Sequence, residues 1–247
     1  GSIAIPLPYV LKIDKTFSLG QKKDIKEIFD IEPFTNKIKV NSYNVVFNVI
    51  AKSDFTKAAS GKMKMKEYKD TKDYFKKIER VIKSNKKKKY IYAYYPEHDH
   101  YSHEEGVGSK RVLNHFKKLN KELKLFLKSI EGTSTTLIIT ADHGEIDSPN
   151  SKVVNLEKHP KLNALLSNKL CGESRFVYCY VKSGKGKEFE KYVKTKLKHA
   201  CELYKNEDLV KKDFFGLYGQ HEKLLDRIGD YVLIMKDNYV FYDKLNY

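Results

Sequence analysis

Four side chains of the 247-residue sequence have the types and spacing of divalent-metal ligands: Asp99, His103, Asp142 and His143. A carboxylate and an imidazole four residues apart, as in Asp99-His100-Tyr101-Ser102-His103, turn toward one point on a single helical turn or a tight loop. Asp142 and His143 are adjacent, which suits a turn after a strand, and Gly144 removes the side chain that would crowd an ion. Carboxylate oxygen with neutral imidazole suits zinc; manganese or a related ion also fits, because spacing fixes neither softness nor geometry. Two such ions about 4 Å apart stabilise the attacking and leaving oxygens of an in-line displacement at phosphorus. The chemistry to expect is hydrolysis of phosphate esters. Asp-His-Gly and Asp-x-x-x-His are each common alone, so the inference rests on the pair, in this order at successive strand ends.

The elements that must position these groups read as an alternation of apolar runs and amphipathic helices, hence α/β with a mostly parallel central sheet flanked by helices on both faces. Tyr74, Phe75, Ile78, Val81 and Ile82 recur at helical spacing. After a Lys-rich turn, Tyr90-Ile91-Tyr92-Ala93-Tyr94-Tyr95 predicts a buried strand. Ser109 then caps a long helix expected to turn Val112, Leu113, Phe116, Leu119, Leu123, Phe126, Leu127 and Ile130 inward and to end near Gly132. Thr136-Leu137-Ile138-Ile139-Thr140 predicts a second apolar strand running into Ala141-Asp142-His143-Gly144. Both polar clusters thus follow strands, at the edge of an α/β sheet where ligands bind. Further on, a strand is expected at residues 175–181, a helix over 189–204, and a last strand or hairpin through 231–242. Residues 36–50 alternate like a strand, but the front of the chain, to about residue 70, is poorly defined. No internal repeat or linker divides the chain, which predicts a single domain over 1–247.

Lys and Arg outnumber Asp and Glu by 48 to 32, a formal net charge of +16, and such an excess concentrates polyanions. Phosphate-containing small molecules, nucleotides among them, are the expected partners, and nucleic acid fits the same charge; a Lys-decorated surface without a partner is the plainer explanation. Hydrophobic residues make up 40% of the sequence, so a folded core is expected rather than disorder. Cys171, Cys179 and Cys201 are odd in number and lack zinc-ribbon or thioredoxin spacing, so they read as buried, reduced thiols. No apolar run approaches a bilayer span or a signal peptide, and a cytoplasmic location is expected. Gly1-Ser2 without an initiating Met reads as a cloning remnant, with the natural start upstream.

Tyr-Pro-x-x-Asp-x-x-x-His-x-x-Gly, read as Tyr95 to Gly106, followed by Thr140-Ala141-Asp142-His143-Gly144, resembles the alkaline phosphatase superfamily, and its nucleotide pyrophosphatase/type I phosphodiesterase branch in particular. Leu170-Cys171-Gly172-Glu173-Ser174-Arg175 and Asp226-Arg227-Ile228-Gly229-Asp230-Tyr231 resemble segments of bacterial members described as alkaline phosphatase family proteins. The resemblance implies an early Asp, a nucleophilic Thr or Ser, Asp-x-x-x-His, Asp-His and a late His. By that likeness Asp99 and His103 hold one ion with the late His. Asp142 and His143 hold the other with the early Asp and the nucleophile, which attacks phosphorus and is released by water.

This chain departs from the pattern at both ends. The nearest match to the strand carrying the early Asp is Tyr9 to Asp14, where Lys15 replaces the usual Gly. Thr56 and Ser60 lie too close to Asp99 for the family's nucleophile and read as ordinary polar positions. His221 precedes the Asp-Arg-Ile-Gly segment, so no role passes to it. The expectation is a fragment of a longer enzyme, without the nucleophile-bearing front and the last His ligand, and weakly active or inactive alone. Three other readings stand beside it: a non-catalytic phosphate- or nucleic-acid-binding module of the same fold, a phosphomutase of the superfamily, and a structural protein with coincidental motifs. His98 and His100 are expected to face away from the Asp99/His103 side, either solvated or supporting the ligands from outside the metal. Glu104 and Glu105 read as charges at the start of the long helix, and Glu145 and Asp147 as exposed loop carboxylates or, behind that, as groups that order a metal-bound water or a ligand imidazole. Arg175 and Arg227 suit phosphate or ion pairs with Glu173, Asp226 or Asp230. The tyrosines read as core, and as a base-stacking surface where one face is exposed.

Overall fold

The computed structural model describes residues 32–243 and, before them, the backbone of two short antiparallel strands, β1 (Ala4–Ile5) and β2 (Val10–Leu11). Asp14, the nearest match to an early ligand, lies outside the described residues. The chain divides into two compact units, Gly1–Glu145 and Ile146–Tyr247.

In the first unit, β3 (Asn41–Phe47) is buried continuously from Ser42 to Val46, the pattern of a central strand covered on both faces. It lies between β4 (Lys64–Tyr68) and β5 (Lys89–Ala93), both parallel to it, so the sheet order is β4-β3-β5. Helices α1 (Asn48–Ala51) and α2 (Asp54–Ser60) connect β3 to β4. Helix α3 (Thr71–Lys83) connects β4 to β5; its Asp70 cap accepts from the Asp73 amide at 2.8 Å. As the spacing predicts, Tyr74, Phe75, Ile78 and Val81 are buried. Tyr74, Phe75 and Ile78 meet Val45, Tyr68, Phe126 and Ile130 in one apolar cluster. Helix α4 (Glu97–Glu105) follows β5, and Ser109 caps α5 (Lys110–Ser129) by accepting from the Val112 amide.

Two expectations fail here. On α5, Leu113 (51% exposed), Phe116 (55%) and Leu127 face solvent, while Val112, Phe126 and Ile130 are buried. The long apolar set covers more of the helix circumference than one core contact can bury. Residues 136–140 are not a strand: no described strand pairs with them, and Ile138 and Ile139 are 82% and 69% exposed. β-propensity expresses itself only against a hydrogen-bonded neighbour and a packed face, and among the described residues β5 is paired on its β3 side alone.

The second unit has a mostly antiparallel architecture of its own. Strands β6 (Val153–Asn155), β7 (Cys171–Glu173), β8 (Phe176–Cys179), β9 (Cys201–Lys205), β10 (Tyr231–Met235) and β11 (Val240–Tyr242) form two sheets. One is antiparallel in the order β7-β8-β10-β9; the other pairs β11 with β6 in parallel. The expected helix over 189–204 instead ends by Leu197, and residues 201–205 pair with β10. Alternating burial, with Cys201 inward and Glu202 outward, marks that strand. The expected terminal hairpin separates, β10 and β11 joining different sheets. Cys179 and Cys201 are buried free thiols as expected, whereas Cys171 is partly exposed.

The Asp226-Arg227-Ile228-Gly229-Asp230-Tyr231 segment proves to be a junction. Asn206, wholly buried, donates from Nδ2 to the Ile228 and Gly229 carbonyls, and the Val181 amide donates to Asp230 Oδ2 at 2.7 Å. Gly229 holds φ +69°, and a Cβ there would stand 2.8 Å from the Cys179 carbonyl oxygen, so only glycine fits. The Arg175 guanidinium donates to the Tyr239 and Met235 carbonyls. Among the described residues, no helix is long and apolar enough to cross a membrane.

Candidate metal centre

Three tyrosines, Tyr68 and Tyr74 buried and Tyr95 partly so, fix the chain where β5 gives way to α4. Tyr68 donates to the Tyr94 carbonyl at 2.9 Å and Tyr74 to the Ala93 carbonyl at 3.2 Å. The Tyr95 hydroxyl lies 2.7 Å from Thr71 Oγ1 and 3.2 Å from His115 Nε2. Burial pushes the Tyr74 phenol up to about 12 and raises Tyr68 and Tyr95 further, so all three are neutral hydroxyls. On their other side, α4 begins directly after Pro96, and its polar sequence has little apolar surface to hold it. Ser102 is its one buried residue and bonds back to the His98 carbonyl. The anchorage of α4 therefore comes from its ends and from side chains that reach α5.

Asp99 and His103 share a face of α4 as the spacing predicts, with Oδ1 and Nε2 3.4 Å apart. On the separate Asp142-His143-Gly144 turn, the His143 amide donates to Asp142 Oδ1, and His143 Nδ1 lies 3.1 Å from the Gly144 carbonyl. With Nδ1–H donated to that carbonyl, Nε2 carries the free lone pair. The carbonyl contact first, and then the Asp142 carboxylate, raise the His143 pKa. His143 Nε2 stands 3.8 Å from Asp142 Oδ2 and 3.9 Å from Asp99 Oδ1. All four residues thus join one run of contacts, with Asp99 Oδ1 between two imidazoles.

The donor chemistry fits a hard or borderline divalent ion. Asp99 Oδ1 is buried and has no hydrogen-bond partner, an orphaned acceptor of the kind an ion satisfies. Ligand atoms about 2.0–2.1 Å from a tetrahedral ion are about 3.3 Å apart, close to the Asp99–His103 separation. Among the described residues, however, no three His, Cys, Asp or Glu side chains are arranged around one point as a metal site.

Neighbouring residues depart from expectation in an instructive way. His98 is no solvated flank: its ring stacks on His115 at 6.0 Å, packs against Phe116, and approaches Glu145 Oε2 to 4.0 Å. Glu145 is likewise no exposed loop carboxylate, its side chain being 19% exposed. His100 does face outward, toward Glu104 at 3.3 Å. Glu104 and Glu105 do not open α5; they close α4 and pair with Arg111 at 3.1 and 2.7 Å, while its guanidinium covers the Tyr101 ring. Thr56 bonds within its own helix cap, and Ser60 receives Asn44 Nδ2 at 2.8 Å, so both hydroxyls are committed. Tyr92 and Tyr94 alternate onto the outer, partly exposed face of β5.

The family model of type I phosphodiesterase/nucleotide pyrophosphatase matches residues 11–247. The chain belongs to this family. Its members are type I phosphodiesterases and nucleotide pyrophosphatases. Among solved structures, an inactive variant of murine ectonucleotide pyrophosphatase/phosphodiesterase 5 in complex with AMP is similar at TM-score 0.57 and 17% identity, over 97% of this chain and 62% of that one. Human ectonucleotide pyrophosphatase/phosphodiesterase 5 gives 0.56 and 16%, over 86% and 55%. Phosphonoacetate hydrolase from Sinorhizobium meliloti, in complex with phosphonoacetate, gives 0.57 and 13%, over 88% and 61%. These likenesses establish the α/β fold, and the chain spans less than two thirds of each of these relatives. No curated protein matches the chain by sequence.

Proposed function

We propose that Asp99 and His103 on α4, and Asp142 and His143 on the following turn, hold two divalent ions, zinc or manganese, for hydrolysis of a phosphate ester in this family of phosphodiesterases. The observation that carries this reading is the placement of Asp99 Oδ1 between His103 Nε2 at 3.4 Å and His143 Nε2 at 3.9 Å. Bound there, divalent ions supply Lewis-acid stabilisation of charge on phosphoryl oxygens. The chain's own residues do the rest: the Gly144 carbonyl orients the His143 ring, and the tyrosines beneath Pro96 hold the Asp99 helix in place. Nucleotides are the favoured substrate class, given the family and the complex of the murine relative with AMP. Tyr92 and Tyr94, exposed on the face of β5 near Asp142, offer a nucleobase a stacking surface. No nucleophile is assigned, since the Thr56 and Ser60 hydroxyls are committed elsewhere, and this chain by itself is weakly active or inactive.

The test is metal content after purification without a histidine tag, for the wild type and for Asp142→Ala and His103→Ala. Loss of bound metal in both variants supports the reading. Unchanged stoichiometry in both refutes it, and brisk chelator-sensitive turnover of bis-p-nitrophenyl phosphate refutes the weak activity. A second reading, a phosphate-binding module without catalysis, draws on the +16 charge. It predicts nucleotide binding that falls steeply with salt and survives chelator.

A further inference from the structure

We infer that His98 and Glu145 are positioning residues, a strut that sets the Asp142-His143 turn against α4; the inference rests on the metal-centre reading above. Little else ties this turn down. Among the described residues, no main-chain hydrogen bond joins residues 136–145 to a helix or strand, and the side-chain bonds of Thr140, Asp142 and His143 are all local. Two contacts reach α4 from the turn: His143 to Asp99 at 3.9 Å and Glu145 to His98 at 4.0 Å.

Of these, the second has a rigid seat. The His98 ring lies at 18° to His115 and 5.7 Å from Phe116, both on α5, so three elements meet at one imidazole. Glu145 Oε1 and His98 Nδ1 are buried without hydrogen-bond partners. A carboxylate drawn out of water seeks a donor, and His98 Nε2 is the imidazole nitrogen beside Glu145. At 4.0 Å the pair is one small side-chain rotation, or one bridging water, from a hydrogen bond. Because Glu145 lies two residues beyond His143 and His98 adjoins Asp99, closing this pair sets how far His143 Nε2 stands from Asp99.

The experiment is hydrogen exchange, read by mass spectrometry on residues 136–147 of the metal-free full chain, with the visible spectrum of added cobalt(II) as a second readout. Glu145→Ala and His98→Ala are expected to speed exchange of the turn up to about fivefold, the size of a lost partly exposed pair. Glu145→Gln, which keeps the shape and an acceptor oxygen, is expected to restore the wild-type rate and the wild-type cobalt spectrum, where Glu145→Ala alters both. His100→Ala, also beside Asp99 but engaged with Glu104, should leave both unchanged. Wild-type exchange in Glu145→Ala, or equal loosening by His100→Ala, overturns the strut. Faster exchange in Glu145→Ala with no cobalt bound by the wild type upholds the strut and sinks the metal-centre reading instead.

Discussion

Replacing Tyr95 with Phe removes one oxygen from beneath the candidate centre and leaves the ring in place. Stacking on Tyr68 (centroids 6.1 Å apart) and on His115 (5.8 Å) is retained, so no cavity opens and the apolar burial is unchanged. What is lost is the hydroxyl 2.7 Å from Thr71 Oγ1 and 3.2 Å from His115 Nε2. Thr71 is only 2% exposed, so its hydroxyl is left without water to replace the partner. Stranding one buried neutral hydroxyl costs about 1–2 kcal/mol. At a urea m-value of about 2 kcal/mol/M this lowers the unfolding midpoint by about 0.7 M with the slope unchanged. Thr71→Val in the same chain removes the stranded partner, so the double variant should lie well above the sum of the two single losses. The assay is urea unfolding of all four proteins followed by a probe in the first unit. A Tyr95→Phe midpoint within about 0.1 M of wild type, or strictly additive losses in the double variant, would refute the reasoning.

Further perturbations test other parts of the molecule. Asn206→Leu removes the donor to the Ile228 and Gly229 carbonyls from a wholly buried site; a loss of about 2–3 kcal/mol is expected from urea unfolding of the second unit. Gly229→Ala forces a Cβ toward the Cys179 carbonyl at φ +69° and should lose about 1–3 kcal/mol in the same assay. Burial holds the His115 and His159 imidazoles below the ordinary value of 6.5. Between that value and their folded pKa the unfolded chain binds more protons. Their share of stability is therefore full above about pH 6.5 and lost as pH falls through the folded values. Urea midpoints level from pH 7.5 to about 5.5 would contradict this, and His159→Gln should flatten the second unit's share of the slope. Ile138→Lys, at an 82% exposed position, should change stability by under about 0.5 kcal/mol while slowing aggregation measured by light scattering.

The parts of the fold that are legible in the sequence are those whose signals are local. Tyr74, Phe75, Ile78 and Val81 state the α3 face by spacing alone, and Ser109 states where α5 begins. Residues 136–140 mislead because strand formation is settled by a neighbour that the segment itself does not name. Residues 201–204 mislead because apolar positions continue past Leu197, and only the pairing with β10 shows that the period has changed from helix to strand. At the site, the meeting of Asp99 and His103 on one face of α4 follows from their spacing, whereas the approach of His143 is not owed to strand order, since residues 136–140 form no strand. Nor does the inward turn of His98 follow from spacing, since it depends on His115 and Phe116 from another helix. A usable signal existed: an acid two residues past one ligand pair and an imidazole adjoining the other are complementary partners once the two motifs are brought together.

The open state of residues 136–140 also makes the ligand turn an output of sheet pairing. Their main chain leads without interruption into Asp142 and His143, and among the described residues its amides and carbonyls bond to no strand. Any extended segment that laddered onto them would set the axial position and facing of the two ligands, shifting His143 by up to one strand register relative to Asp99. Ion and pairing segment would then be thermodynamically linked: whatever affinity the strand adds for the ion, the ion returns for the strand.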